Sequence, residues 1–186
     1  MLLDFFERSS VLGARRAGLV GSINELARAF RRHGQPIIWV RQEFRPDLED
    51  AFLEMRRKNL HVTIAGTDGA EILPELERHP GDEVIVKKRY SAFFRTNLDS
   101  VLAGLEPSCI VVAGINTHAC VRTTVIDAYQ RDYDVVVAAD GIASYDRVHH
   151  DVTVDYLNGK IARFLRTGEI VALLARKPAG RGDRPH

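Results

Sequence analysis

Four short runs rich in Val and Ile, separated by segments of helical period, constrain this chain more than anything else in it. They are "QPIIWVRQ" (Gln35 to Gln42), "DEVIVK" (Asp82 to Lys87), "SCIVVAG" (Ser108 to Gly114) and "YDVVVAAD" (Tyr133 to Asp140). Each is too short for a helix and apolar at successive positions, the habit of a strand buried on both faces of a parallel sheet. Between them, Leu19, Ile23, Leu26 and Phe30 recur at three- and four-residue steps, and Gly34 follows as a stop. From Thr117 to Tyr133, Cys120, Val121, Thr124, Val125 and Ala128 fall on one helical face, with Arg122, Asp127 and Arg131 off it. "TNLDSVLAGL" reads as a shorter helix capped by Thr96 or Asn97. Strand alternating with helix predicts βαβ units, hence an α/β fold of three α/β/α layers. A first strand is expected at "MLLD", Met1 to Asp4, brief enough to be only the last half of one. A last strand is expected near Ile161 to Leu165, with a final helix from Glu169. Phe44 to Pro80 shows no strand pattern and is expected to form a helix plus long loops over one sheet edge.

Bulk properties narrow the function classes. A chain of 186 residues is expected to form one domain, over 1–175, with the polar, Pro- and Gly-rich end at 176–186 disordered. Its 26 basic and 25 acidic residues give a net charge of +1, so no global field recruits nucleic acid or an anionic membrane. No segment approaches the roughly 18 apolar residues of a membrane span, and "MLLDFFERSS" lacks a signal-peptide core. Two cysteines, Cys109 and Cys120, are too few for a disulfide scaffold and point to the reducing cytoplasm with both thiols free. No C-x-x-C pair is present to support a redox role.

Open parallel sheets bind ligands beyond the carboxyl ends of their strands. The residues expected there are Asp4, then Arg41, Gln42 and Glu43, then Lys87, then Gly114 to Cys120, then Asp140. A carboxylate, an amine and a thiol therefore gather on one edge. Thiols become nucleophilic at helix N-termini and beside cations, and Cys120 falls in the first turn of its helix with Lys87 closing a neighbouring strand. Asp4 is the candidate to take the thiol proton and return it to a leaving amine. Backbone N–H groups between Asn116 and Cys120 are candidates to hold an oxyanion. Taken singly, each residue also has a structural reading: Cys120 as a small buried helix residue, Asp4 as a cap, Lys87 as a surface ammonium. His118 is a weaker candidate base in a Cys–His pair.

Three blocks resemble the isochorismatase-like cysteine hydrolases, which include nicotinamidases and carbamoyl-sarcosine, ureidoacrylate and biuret amidohydrolases. "LLDFF" resembles the first-strand signature and places its aspartate at Asp4. "VIVKKRYSAFFRTNLDSVL" resembles the block of the catalytic lysine, at Lys87 and not Lys88. "VVAGINTHACVRTTVIDAYQRDYDVVVAADGIAS" resembles the nucleophile block, at Cys120. The resemblance implies a mostly parallel six-stranded sheet and a catalytic set Asp4, Lys87 and Cys120 working through a thioester. It further implies a non-proline cis peptide at Ile115–Asn116, an oxyanion hole from the Asn116 and Cys120 N–H groups, and a homodimer or homotetramer.

The departures are specific. Phe6 stands in place of the signature's glutamine, and "ERSS" lacks its following acid and aromatic. His61 is the only histidine in the region where nicotinamidases hold their metal, so no catalytic metal and no cofactor are expected. Substrate contacts are expected from Arg41, Gln42, Glu43, Tyr90, Phe93 and His118, with Arg41 and Glu43 sharing one face of their strand and Gln42 opposite. The expected activity is metal-independent hydrolysis of a small amide, carbamoyl or ureido compound. The alternatives are an isochorismatase-type hydrolysis for which Cys120 is dispensable, and an idle member that acts as a binding partner.

Overall fold

The computed structural model describes residues 1–176. The expected tail over 176–186 lies outside the described residues except for Arg176. All four Val/Ile-rich runs are strands, joined in parallel. β1 (Ile38–Gln42) pairs with β2 (Glu83–Lys87) in a register that sets Gln42 opposite Lys87. β3 (Ile110–Ile115), β4 (Val135–Ala143) and β5 (Arg163–Leu165) form a second parallel sheet in that order. The described residues therefore hold five strands in two sheets rather than one six-stranded sheet.

The missing member is the expected strand at Met1 to Asp4. Leu2 makes a single antiparallel bridge to Ile72, and Leu3–Glu7 coils into helix α1. Of the expected Met1–Asp4 stretch, Leu3 and Asp4 are helical, which leaves Leu2 with one bridge in place of a ladder. The backbone there is already engaged, with Leu73 N–H donating to the Met1 carbonyl and Leu3 N–H to that of Glu71.

Alternation along β4 shows how the helices cover the sheet. Val135 and Val137 face a core shared with α4 (Leu98–Leu105), α5 (Arg122–Tyr129) and α6 (Arg147–Leu157). Val136 and Ala138 face Leu26 of α2 (Ser10–Arg32) and Ile170 of α7 (Thr167–Ala175). Both faces of the strand are thus covered, as its uninterrupted apolar sequence requires. Ile85, Val125, Val137 and Leu157 are wholly buried in the first core, and each such side chain stabilises the fold by roughly 1.5–3 kcal/mol.

Helix α2 begins nine residues earlier than its Leu19–Phe30 pattern indicates. The Ser9 side chain accepts a hydrogen bond from the Leu12 N–H at 3.3 Å, so a serine of the "ERSS" segment is a helix cap. Between β1 and β2 lie α3 (Leu53–Lys58), one short 3-10 turn (Asp68–Ala70) and loops. Among the described residues no helix is long and apolar enough to cross a membrane.

Candidate active site

Lys87 closes β2 and is almost wholly buried, 5% exposed. A buried ammonium needs acceptors for its three N–H bonds. Its Nζ donates to the Arg89 carbonyl at 2.8 Å, the Tyr90 carbonyl at 2.9 Å and Cys120 Sγ at 3.2 Å, with Gln42 Oε1 at 3.4 Å. Two carbonyls just beyond the strand end thus fix the ammonium, and its remaining direction points at the thiol. The adjacent Lys88 points elsewhere and pairs with Asp50 at 3.0 Å. Among the described residues no carboxylate lies within salt-bridge distance of Lys87. Sulfur is therefore the acceptor at the ammonium that can carry negative charge.

The thiol arrives on an irregular turn. β3 shifts register between Val112 and Gly114, and Gly114 adopts φ +126°, a conformation open to glycine. The Ile115–Asn116 peptide bond is cis. One wide turn, Thr117–Val121, follows, closed by the Val121 N–H donating to the Asn116 carbonyl at 3.2 Å, and α5 starts at Arg122. Such five-residue turns recur at functional sites. The Asn116 N–H finds no acceptor among the described residues, and Asn116 Oδ1 accepts from the Tyr145 N–H at 3.4 Å.

Asp4 is where the expected set breaks up. It sits in α1, not at a strand end, and its Oδ2 accepts from the Thr63 N–H at 2.6 Å while Oδ1 accepts from Arg8 Nε at 3.2 Å. It makes no hydrogen bond to Lys87 or Cys120. Its carboxyl packs where a Cβ on Gly69 would stand, 2.4 Å from Asp4 Cγ, so Gly69 admits it there. The structure thus brings Lys87 and Cys120 together and leaves Asp4 tying α1 to the loop at Thr63.

The expected substrate contacts divide as well. Arg41 and Glu43 share a face and pair at 2.6 Å, with Glu71 also on Arg41 at 3.1 Å, while Gln42 is buried on the opposite side toward Lys87. Tyr90 is exposed with its ring against Phe52, centroids 4.9 Å apart. Burial raises its phenol pKa, with smaller electrostatic contributions in the same direction from Cys120, Tyr145 and Glu54. Phe93 is a core residue, 4% exposed beneath the Arg131 guanidinium, and does not wall the site. A side chain in the α4–α5 core is turned away from the strand ends.

His118 also turns away from the thiol: its Nδ1 lies 2.6 Å from Ser144 Oγ and its ring packs edge-on against Tyr145. Burial lowers its pKa, Asp146 opposes that, and His149 and His150 add to the lowering. Phe52 and Tyr145 carried no signal in the sequence, since each reads there as an isolated loop aromatic. The other thiol, Cys109, is half-buried at the far end of β3, and burial pushes its pKa up to about 11. Among the described residues no cluster of three or more His, Cys, Asp or Glu side chains is arranged to hold a metal ion.

Comparison with known proteins places the chain in a family. Residues 1–169 match the family model described as "Isochorismatase domain". A protein named "Probable inactive nicotinamidase" from Arabidopsis thaliana is 36% identical over 150 residues, 76% of each chain. The crystal structure of an isochorismatase family protein from Desulfovibrio vulgaris superposes with a TM-score of 0.79 at 30% identity, covering 86% of this chain and 85% of that one. That of N-carbamoylsarcosine amidase from Thermoplasma acidophilum superposes with a TM-score of 0.71, also at 30% identity, over 83% and 85%. The thiol on its wide turn and the ammonium that meets it are thus set in a chain that belongs to the isochorismatase domain family.

Proposed function

We propose that this isochorismatase-family hydrolase is a cysteine amidohydrolase that cleaves the C–N bond of a small amide, carbamoyl or ureido compound without a metal. The observation that carries this reading is the 3.2 Å contact between the buried Lys87 ammonium and Cys120 Sγ. A cation held against a thiol favours the nucleophilic thiolate. In this scheme Sγ adds to the substrate carbonyl carbon, and the developing oxyanion is met by the Asn116 N–H. The thiol proton passes to water when the thiolate forms, and collapse of the intermediate breaks the C–N bond as the leaving amine takes a proton back from water. A second water then adds to the thioester carbonyl and the C–S bond breaks, which releases the acid and restores the thiol. Asp4 is not proposed as the proton carrier, because its carboxylate is engaged by Thr63 and Arg8.

A second reading, an idle member of the family, is favoured by two observations: among the described residues no carboxylate bonds to the Lys87–Cys120 pair, and the Arabidopsis relative is named as probably inactive. One experiment separates the two. Ammonia release is measured across a panel of primary amides, carbamoyl compounds and ureides, with Cys120→Ala alongside. Turnover that vanishes in the variant supports the thiol route, and turnover that survives in it overturns that route. No turnover from a protein whose Cys120 still alkylates readily favours the idle reading.

A further inference from the structure

The Arg89 and Tyr90 carbonyls fix the Lys87 ammonium against the sulfur, yet their own stretch of main chain does little to fix them. Both residues lie beyond the end of β2, and residues 89–91 make no backbone–backbone hydrogen bond among the described residues. A peptide plane outside a ladder turns with the two soft dihedrals that flank it. The ammonium is therefore held only as firmly as something else holds these two planes.

That hold comes from side chains. Arg89 Nη1 donates to the Asp50 carbonyl at 2.8 Å, and its guanidinium lies over the Phe52 ring, 5.0 Å from the centroid. This is within the reach of a cation–π attraction. The Tyr90 ring packs against the same Phe52 ring with centroids 4.9 Å apart, the spacing of an aromatic pair. Lys88 pairs with the Asp50 carboxylate at 3.0 Å. Asp50 and Phe52 thus grip the three residues that follow Lys87, and the two whose carbonyls meet the ammonium share one ring.

Phe52 is itself held from behind. Its ring meets Phe44 edge-on at 5.8 Å, and Phe44, Leu48, Ala51 and Ile64 form a small core with Phe52 and Met55 packed against it. Leu48, at φ +61°, turns the chain there, and the Ala51 N–H donates back to the Leu48 carbonyl at 3.0 Å. The Arg45 N–H donates to Asp50 Oδ1 at 2.9 Å. This core is separate from those on the two faces of the sheet, and residues 88–90 connect it to the ammonium.

We propose that Phe52 is a positioning residue for the Lys87–Cys120 pair: it holds the Arg89 and Tyr90 side chains, and through them the two carbonyls that aim the ammonium at the sulfur. This role rests on the reading given above, that the ammonium favours the thiolate, and it makes the small core around Phe44 the support of that contact.

The test needs no substrate. Alkylation of Cys120 by iodoacetamide is measured at pH 7 and pH 9.5 in the parent, Phe52→Leu, Phe52→Tyr, Lys87→Met and the double variant Phe52→Leu, Lys87→Met. Leucine stays apolar for the small core but removes the ring. Phe52→Leu is expected to slow alkylation about tenfold at pH 7 and less than about twofold at pH 9.5, where a thiol ionises unaided. Phe52→Tyr keeps the ring and is expected to match the parent. A fold that had merely loosened would expose the thiol and speed alkylation at both pH values, and that result overturns the proposal. In the Lys87→Met background Phe52→Leu is expected to add nothing, because its effect passes through the ammonium. Further slowing there also overturns the proposal. A parent-like Phe52→Leu beside a slowed Lys87→Met removes the positioning role and leaves the thiolate reading standing. Parent-like rates in both overturn that reading and the positioning role with it.

Discussion

Lys87→Met is the sharpest probe of the candidate site, because methionine keeps the length of the side chain and removes its charge. At 3.2 Å two opposite unit charges attract by about 5 kcal/mol at an effective dielectric constant of roughly 20, an upper bound for a partly solvated pair. If about half of that survives relaxation, some 2.7 kcal/mol of thiolate stabilisation is lost, or about a hundredfold in rate. The assay is alkylation of Cys120 by iodoacetamide at pH 7, followed by intact mass, so no substrate need be known. The variant also leaves the Arg89 and Tyr90 carbonyls without their donor, at roughly 1–3 kcal/mol each if no water replaces it, so circular dichroism must show that it is folded. A folded variant that alkylates within threefold of the parent would refute the argument that the ammonium activates the sulfur.

The remaining expectations concern the groups around that pair. Asp4→Asn should leave the Cys120 alkylation rate within threefold, since its partners are Thr63 and Arg8, while loss of a charge-assisted bond costs about 1–2 kcal/mol, read as a lower thermal midpoint. Cys109, with its pKa raised to about 11 by burial, should remain unmodified at pH 7.5 while Cys120 is alkylated, and peptide mapping tells them apart. Asp82 accepts from Trp39 Nε1 at 2.7 Å, from the His79 N–H at 2.8 Å and from Arg31. Burial works to raise its pKa, but these donors prevail and hold it below the ordinary value. Its unfolded value is the higher one, so its stabilisation is present above about pH 4 and lost as pH falls through the folded value. Asp82→Asn should therefore lower stability by about 2–3 kcal/mol at pH 7 and much less near pH 2, measured as denaturation midpoints at the two pH values. An equal loss at both would sink the charge argument.

Some of this was legible in the sequence, for identifiable reasons. β1 to β4 declared themselves because strands buried on two faces leave unbroken Val/Ile runs, and β5 lies within Ile161–Leu165 as expected. Lys87 and Cys120 were legible because strand ends converge on one edge of a parallel sheet. Asp4 was not, since "LLD" reads equally as the end of a strand or the start of a helix. The choice was made by tertiary partners far along the chain, Ile72 and Thr63. Helix α2 was read too short because Gly13, Gly18 and the pair Arg15 and Arg16 interrupt its apolar stripe before Leu19. Phe93 was misplaced because spacing after a strand cannot say which way a loop turns its rings.

The two carbonyls that hold the Lys87 ammonium have a consequence for how the protein behaves once its thiol is removed. They are main-chain groups, so Cys120→Ala leaves the cation anchored but deprives it of its soft partner. The variant is then a fixed positive point with a hole the size of a sulfur atom in front of it. Such a hole suits a halide or the carboxylate of a reaction product. The thiol-less protein should retain small anions through purification, and electron density or anion analysis of that variant offers a view of what the ammonium prefers to hold.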